Sequence, residues 1–322
     1  MTYTFNYIDD NNIQYYETVR KIHFEGEEIT VRGQRTKEIL DAVTVFNNPY
    51  NRCIMIPQRK WNPWTALGES LWVLACSNKV EDLLPFNIRA GDYSDDGKNL
   101  YGGYGPRIYA TLNDALELMK KDIHTRRAVV PIFSREDVGT DSKDIPCNTS
   151  LMFKARNNEL HLAVTNRSND VNWGLYGVNK VQFSIILEVV ADLLGLDMGH
   201  QTHFSHSLHY YLDNPSYFFT EQFLKMGTPT QTEHFYDKFN PLPIGVQNLT
   251  LDKVMNMADA AIHAQTTGHK WFDIAAMFLG IYDRTNHKKM IKELADFKNH
   301  YNMEFGDWIK AGEMFLGELK DA

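Results

Sequence analysis

With 322 residues, 43% of them hydrophobic and 23% charged, the chain can form one or two folded domains, and its composition excludes a disordered protein. A formal net charge of -8 argues against the broad basic surface that duplex DNA requires, so we expect no nucleic-acid partner. Three cysteines without CxxC spacing, a polar N-terminus and no apolar run of about 20 residues favour a cytoplasmic protein without disulfides, metal or a membrane partner.

Short segments rich in β-branched and aromatic residues predict strands along the first half of the chain. These segments are Glu28–Arg32, Arg127–Phe133, Ser150–Ala155 and Glu159–Asn166. Asn157 and Asn158 separate the last two segments and predict a tight hairpin turn.

Apolar residues at helical spacing predict helices over Thr65–Ala75 and Val178–Leu194, and the second is apolar enough to be the central helix. Gly195 is expected to end it at the C′ position. Beyond Thr250 the pattern predicts further helices over Asp252–Gln265, Lys270–Asp283, His287–Asn299 and Phe305–Leu319. We therefore expect an α+β catalytic body over residues 1–250, with residues 251–322 as a C-terminal helical extension packed on it.

Cys147 has an unusual setting in the stretch DIPCNT, directly after a proline and before two polar residues. A buried structural cysteine usually lies within an apolar run, as Cys76 does in ESLWVLACS. The setting of Cys147 favours a thiol at a strand edge or on the floor of a cleft. Three further polar stretches accompany it: Thr125–Arg127, Asn166–Asp170 followed by Trp173-Gly174, and Ser207–Tyr211.

Together these stretches resemble the thymidylate synthase superfamily. The resemblance depends on six motifs in order: a glutamate-bearing helix, a tyrosine–glycine turn, a proline–cysteine pair, RSxD, a Gly-rich segment leading to an asparagine, and HxY. They correspond here to Glu69–Trp72, Tyr101–Gly105, Pro146-Cys147, Arg167–Asp170, Gly174–Asn179 and His209–Tyr211. The match runs from about Arg32 to Pro243 and implies a mixed sheet with a long central helix.

The resemblance implies that Cys147 is a nucleophile whose thiolate adds to C6 of a pyrimidine, so that C5 can attack a one-carbon unit. Arg167 is expected to favour the thiolate through its positive charge. Glu69 would organise water and move protons, and Asn148 and Tyr104 belong to the same catalytic group. The implied co-substrate is 5,10-methylenetetrahydrofolate, with no metal, and the implied substrate is a pyrimidine nucleoside 5′-monophosphate.

The resemblance also implies a phosphate site built from arginines, whose planar guanidinium groups suit phosphate oxygens. Arg167 and Ser168 would belong to it, together with a mobile arginine that is either Arg32 or Arg35. Arg126 and Arg127 would reach across the two-fold axis of a homodimer into the partner's site. The other implied contacts are Asn179 with the base edge, His209 and Tyr211 with the sugar 3′-hydroxyl, and Asp170 and Trp72 with the folate.

Departures from the synthases favour hydroxymethylation of C5 over methylation. Asn148 stands where synthases usually have histidine, and Tyr93 lies where they have a tryptophan that shields the methylene intermediate. The chain also continues into helices where synthases end in a short apolar tail that seals the site. These changes would leave more water near the intermediate. The alternatives are a thymidylate synthase and, from a different class, a non-catalytic nucleotide-binding homologue.

The identity of the base stays open between cytosine and uracil. Asn179 can offer its C=O to N4–H and its NH₂ to N3 of cytosine, or turn round to suit O4 and N3–H of uracil. Two residues compete as the counterpart of the asparagine in synthases. If it is Asn179, the segment before it is one residue longer than in synthases. An ungapped alignment instead places Val178 at that position. Similarity of RSND and the following Tyr–Gly–x–Asn run to bacterial CMP hydroxymethylases favours cytosine, so dCMP is expected first and dUMP second.

Overall fold

A computed structural model describes residues 2–6, 10–214, 220–221, 224–225 and 241–320. The strands in this part of the chain are β1 (Tyr3–Phe5), β2 (Glu27–Val31), β3 (Gln34–Phe46), β4 (Val129–Pro131), β5 (Asn148–Arg156), β6 (Glu159–Asn166), β7 (Asn169–Asp170) and β8 (Asp197–Tyr211). The α-helices are α1 (Asn11–Glu25), α2 (Pro63–Leu74), α3 (Val80–Leu83), α4 (Tyr104–Lys121), α5 (Lys180–Leu194), α6 (Leu251–Ile262), α7 (Lys270–Gly280), α8 (His287–Tyr301) and α9 (Gly306–Lys320).

The strands form one mixed sheet in the order β1-β3-β8-β6-β5-β4, with β2 paired to β3 and β7 paired to β8. The long strands β3 and β8 pair antiparallel, whereas β6 and β8 pair parallel. Asn157 and Asn158 both have positive φ, 52° and 65°, which is the backbone of a two-residue hairpin turn between β5 and β6. The α+β fold class and this hairpin are confirmed.

The central helix α5 is almost entirely buried and lies against the inner face of the sheet, where Phe183 contacts His203 of β8. It ends at Gly195, whose φ of 68° is the left-handed conformation expected of a C′ glycine. It begins later than expected, at Lys180, because residues 171–179 form a π-helical segment in front of it. The predicted helix over Val178–Leu194 is confirmed, but its first two residues are π-helical rather than α-helical.

The expected strand Arg127–Phe133 is shorter in the structure, where only β4 is strand. Arg127 lies outside it, in the connection from α4, and the amide of Arg127 is bonded to the Thr125 hydroxyl. The paired register of β4 with β5 begins at Val129, and the Ala128 carbonyl before it accepts from the Phe153 amide at 2.9 Å.

The helices after residue 250 pack on the catalytic body through α2. Trp64, in the first turn of α2, stacks on Phe278 and Tyr282 with ring centroids 5.1 and 5.6 Å apart. Its indole N–H donates to the Phe278 carbonyl at 2.8 Å. Residues before 250 make a separate contact with the central helix, since the Ile244 amide donates to Glu188 of α5 at 2.7 Å. The domain boundary at 250 stays a prediction.

The outer face of the sheet has no helix on it in the described part of the chain. Leu40 of β3, Met152 of β5 and Phe204 of β8 all point outward and are exposed. No described helix is long and apolar enough to cross a membrane.

Candidate active site

Cys147 lies directly before β5, and its thiol is held beside a guanidinium. The Sγ atom is 3.6 Å from Nη2 of Arg167, whose other bonds go to the backbone carbonyls of Pro146 and Ile145 at 2.9 and 3.0 Å. Burial raises the pKa of the Cys147 thiol, and the charge of Arg167 acts in the opposite direction. Arg167 thus favours the thiolate as expected, but the effect of burial is the larger one.

The glycine at position 102 explains why the tyrosine–glycine turn can lie against the cysteine segment. A Cβ atom on Gly102 would be 2.6 Å from the Asp144 carbonyl oxygen, so any side chain there would force the two segments apart. The Gly102 amide also donates to the Asp144 carboxylate at 2.8 Å. Gly103 then precedes α4, which begins at Tyr104. This close approach brings Tyr104 to the cysteine segment.

Asn148, the residue after the nucleophile, is fully buried at the start of β5. Its Nδ2 donates to the Tyr104 hydroxyl at 2.7 Å. Burial raises the pKa of Tyr104 well above its ordinary value, and a negative charge on Cys147 would raise it further, so this phenol stays protonated. The Asn148 Oδ1 atom has no hydrogen-bond partner among the described residues. The structure therefore brings Cys147, Asn148 and Tyr104 together, as expected.

Glu69 lies on α2 and is half-buried. Its Oε1 accepts a hydrogen bond from Asn87 at 2.7 Å. Burial raises its pKa to about 7, against a smaller opposing effect of the Asn87 bond. A carboxyl group with that pKa can both give and take a proton at neutral pH, which is what a general acid/base requires.

The π-helical segment after β7 presents Asp170 and Asn179 at its two ends. Asp170 caps it, because its Oδ1 accepts from the amides of Asn172 and Trp173 at 2.6 and 3.0 Å. A π-helical turn contains one more residue than an α-helical turn, and such turns are frequent at functional sites. Asn179 is the last residue of the segment and lies directly before α5.

Asn179 belongs to a short chain of buried polar groups. Its Nδ2 donates to Oδ1 of Asn169 at 3.4 Å, and Asn169 Nδ2 donates to the Ser205 hydroxyl at 3.2 Å. A Cβ atom on Gly174 would be only 2.3 Å from the Asn169 oxygen. Gly174 is thus the residue that lets the two asparagines meet.

His209 and Tyr211 lie on β8 beside Asp170. Asp170 and His209 are partners in the pairing of β7 with β8, and the His209 and Tyr211 rings are 5.3 Å apart. Burial raises the pKa of Asp170, and the His209 charge lowers it. Burial and then Asp170 raise the pKa of Tyr211, whereas the charge of Arg32 lowers it. These residues therefore share one electrostatic environment.

Arg32 influences this site through its charge, whereas Arg35 is paired elsewhere. Arg32 and Gly33 have φ angles of 50° and 76° in the turn between β2 and β3. The charge of Arg32 acts on the thiol of Cys147. Arg35 instead pairs with Glu28 at 3.1 Å and with Asp213 at 3.6 Å.

Four predicted site residues remain to be placed: Arg126, Arg127, Ser168 and Trp72. Arg126 and Arg127 are exposed, and neither guanidinium has a hydrogen bond or ion pair with a described residue. Ser168 is half-buried beside Arg167. Trp72 is only 5% exposed, and its indole N–H donates to the Lys79 carbonyl at 3.0 Å. This setting suits core packing, and a folate contact by Trp72 stays a prediction.

Arg59 and Trp173 belong to the site but were not assigned a role from the sequence. Arg59 donates to the Asn172 carbonyl, lies 5.8 Å from the Tyr15 ring centroid, and lowers the pKa of Asp170. Trp173 is 52% exposed next to Asp170. An aromatic residue three positions after the RSxD stretch was the available signal for Trp173. Arg59 lies in a stretch, PQRK, that has no distinguishing pattern.

No group of three or more histidine, cysteine or acidic side chains in the described residues is arranged to hold a metal ion.

Comparison with known proteins identifies a matching family and several relatives of this chain. The family model described as Thymidylate synthase matches residues 13–226. A "Deoxyuridylate hydroxymethyltransferase" of Bacillus phage SP01 is 35% identical over 294 residues, covering 82% of this chain and 77% of the relative. Proteins of the same name from Pseudomonas phage M6 and Delftia phage PhiW-14 are 35% and 30% identical.

The second and third of these similarities cover less of each protein. The Pseudomonas phage M6 match spans 203 residues, 61% of this chain and 58% of the relative. The Delftia phage PhiW-14 match spans 223 residues, 64% of this chain and 62% of the relative. Since the family model covers well over half of the chain, and the fold and motif order agree with it, this protein belongs to the thymidylate synthase family.

Proposed function

We propose that this protein transfers a one-carbon unit from 5,10-methylenetetrahydrofolate to C5 of dUMP and completes the reaction with water, giving a 5-hydroxymethyl nucleotide. The observation that carries the proposal is the fully buried Asn148 beside the Cys147 thiol, with one amide oxygen lacking a partner in the described structure. The names of the three phage relatives support the same reaction.

Cys147 is the nucleophile in this proposal. Its sulfur bonds to C6, and the C5–C6 π electrons move toward the C4 oxygen, so that C5 becomes able to attack the one-carbon unit. The thiol must first lose its proton, which burial opposes and Arg167, 3.6 Å away, favours. Arg167 therefore has two tasks, as a charge beside the thiol and as a donor to the 5′-phosphate.

Glu69 moves protons between the bound reactants and water. Its pKa of about 7 leaves comparable amounts of acid and base at neutral pH. The Asn87 bond at 2.7 Å fixes one carboxyl oxygen, so the other is the atom that exchanges protons. Loss of the C5 proton, after the new carbon bond has formed, requires such a base.

Asn148 determines the last step. After the cofactor has left, the nucleotide carries an exocyclic methylene on C5 and the Cys147 sulfur on C6. A water oxygen bonds to the methylene carbon, the π electrons pass to the C4 oxygen, and their return expels the Cys147 thiolate from C6. A buried amide oxygen can hold the water for this step. Asn148 supplies that oxygen at the position where synthases usually have histidine.

Uracil is the preferred base of the proposal, in place of the cytosine expected first from the sequence. The three phage relatives described above are named as deoxyuridylate hydroxymethyltransferases. The amide of Asn179 offers both a donor and an acceptor, which O4 and N3–H of uracil can use together. His209 and Tyr211 would bind the sugar 3′-hydroxyl.

The proposed assembly is a homodimer with shared sites. Arg32, Arg167 and Ser168 would bind the phosphate with Arg126 and Arg127 of the partner subunit. The exposure of both latter residues, and the exposed apolar outer face of the sheet, support a second copy against that face.

The side chains at one end of the cleft fit a folate. Asp170 uses one carboxylate oxygen as a cap and has no described hydrogen-bond partner on the other, which can accept from the amino groups of a pterin. The exposed Trp173 next to it offers an aromatic face. When bound, the folate supplies the carbon.

The test is incubation with methylenetetrahydrofolate and each of dUMP, dCMP, UMP and CMP, with the products analysed by mass. Gain of one CH₂O unit by dUMP is the expected result. Gain of CH₂ with formation of dihydrofolate would instead identify a thymidylate synthase. Absence of a covalent Cys147 adduct with a 5-fluoropyrimidine nucleotide and the folate would identify a non-catalytic binder.

A further inference from the structure

Asn148 has a partner residue across the sheet that is equally buried. Asn148 on β5 and Asn166 on β6 are register partners, and they are 0% and 2% exposed. The amide of Arg167 donates to the Cys147 carbonyl at 3.0 Å, one residue outside this pair. That bond flanks Asn148 and Asn166 as it would a non-hydrogen-bonded pair, in which the side chains approach closely, and the register shifts directly beyond the pair, between Asn148 and Ser150.

Both amides are anchored through nitrogen. Asn166 Nδ2 donates to the Phe204 backbone carbonyl at 3.0 Å. A carbonyl can only accept, so this bond fixes which end of the Asn166 amide is nitrogen. Asn148 Nδ2 donates to Tyr104. Each side chain is left with a buried Oδ1 that has no hydrogen-bond partner among the described residues.

We propose that Asn166 is a positioning residue which, with Asn148, holds the water that attacks the methylene carbon; this rests on the proposed function. Two adjacent acceptors without a donor are the complement of one water molecule, which has two hydrogens to give. Buried polar groups of this kind are normally satisfied by such a water.

The inference also requires a reactive orientation of that water. A water that donates both hydrogens to fixed oxygens has its lone pairs directed away from them, and in this proposal one lone pair faces the nucleotide bound to Cys147. Its oxygen forms the new bond to the methylene carbon, and one of its protons leaves afterwards. Removing either acceptor should leave the earlier covalent steps intact and slow only this addition.

The experiment measures competition between water and an added thiol, 2-mercaptoethanol, for the methylene carbon. The thiol adds at the same carbon and gives a thioether nucleotide instead of the hydroxymethyl nucleotide. Asn166→Leu, which has similar size and no acceptor, should raise the ratio of thioether to hydroxymethyl product about tenfold, the effect of losing one ordinary hydrogen bond. Release of tritium from C5 of labelled dUMP should remain close to wild type.

A second variant and a control separate this effect from general damage. If Asn166→Leu does not fold, Asn166→Thr keeps a donor to the Phe204 carbonyl, removes the amide oxygen, and should shift the ratio in the same direction. Gln201→Met removes another buried amide with an unpartnered oxygen on the inner face of the sheet, and should leave the ratio unchanged.

Two results would overturn the inference alone. One is an unchanged product ratio in folded Asn166 variants, and the other is an equal shift in Gln201→Met. If the wild-type enzyme forms neither hydroxymethyl nor thioether nucleotide, the proposed function falls with it.

Discussion

The Arg167 guanidinium lies 3.6 Å from the Cys147 thiol and is fixed there by backbone carbonyls of the segment that carries the thiol. The positive charge is therefore attached to the nucleophile's own loop and is present before any phosphate binds. Burial raises the pKa of the thiol, so this fixed charge is the main local influence toward the reactive thiolate.

Cys147→Ser should bind nucleotide nearly as the wild type does and lose turnover, because a serine hydroxyl is a far weaker nucleophile at neutral pH. Calorimetric nucleotide titration and product formation measure the two properties. Cys76→Ser is the matched control, since Cys76 follows α2 and has no assigned role, and it should stay active. Wild-type turnover in Cys147→Ser would exclude covalent catalysis.

Glu69 should control the pH dependence of the reaction. The pH profile of kcat/KM is expected to show a group with a pKa near 7, and Glu69→Gln should remove that group from the profile and lower the rate about 10²-fold or more. A profile in Glu69→Gln that keeps the same group would assign it to another residue.

The same raised pKa predicts a stability effect. The folded state keeps the Glu69 proton to about pH 7, whereas the unfolded chain loses it near the ordinary value of 4.5. The folded state therefore binds more protons in this window, and the free energy of unfolding should fall as pH rises through it. Urea midpoints at about pH 5 and about pH 8 should differ more in the wild type than in Glu69→Gln. Equal differences would place the Glu69 pKa near its ordinary value.

Arg126→Ala and Cys147→Ser should each be inactive as homodimers and should regain activity when mixed under subunit exchange. One of the two sites of a hybrid dimer then contains both intact residues. Exchange is followed with two affinity tags. If tagged hybrids form and no activity returns, Arg126 does not serve the partner's site.

Trp64→Ala should destabilise the protein by about 3–5 kcal/mol, because it removes a fully buried indole and its bond to the Phe278 carbonyl. Phe24→Ala is the control, since Phe24 is 71% exposed, and it should change stability by about 0.5 kcal/mol or less. Urea unfolding measures both. A small effect of Trp64→Ala would mean that α7 does not stabilise the catalytic body.

Much of the fold could be predicted where local pattern and burial agree. The helices α2 and α5 and those after residue 250 carry apolar residues at helical spacing. No element was predicted over β3, because Asp41, with a φ of 55°, interrupts its alternation of inward and outward residues. Strand β8 was missed because it buries polar residues, Gln201 and His203, on its inner face.

In the candidate site, too, only residues that belong to a local sequence pattern could be predicted. Cys147, Asn148 and Arg167 are adjacent to recognisable motifs, so their chemistry could be predicted. Asn166 could not, because its significance lies in its pairing with Asn148 across two strands and in the direction of its unpartnered oxygen. Such a relationship exists only once the register of β5 and β6 is known.

The most direct test of hydroxymethylation is the reaction of dUMP and methylenetetrahydrofolate in ¹⁸O-labelled water. The proposal predicts that the nucleotide gains one CH₂O unit whose oxygen is ¹⁸O, and that tetrahydrofolate rather than dihydrofolate accumulates. Formation of thymidylate with an equal amount of dihydrofolate, and no labelled alcohol, would contradict it.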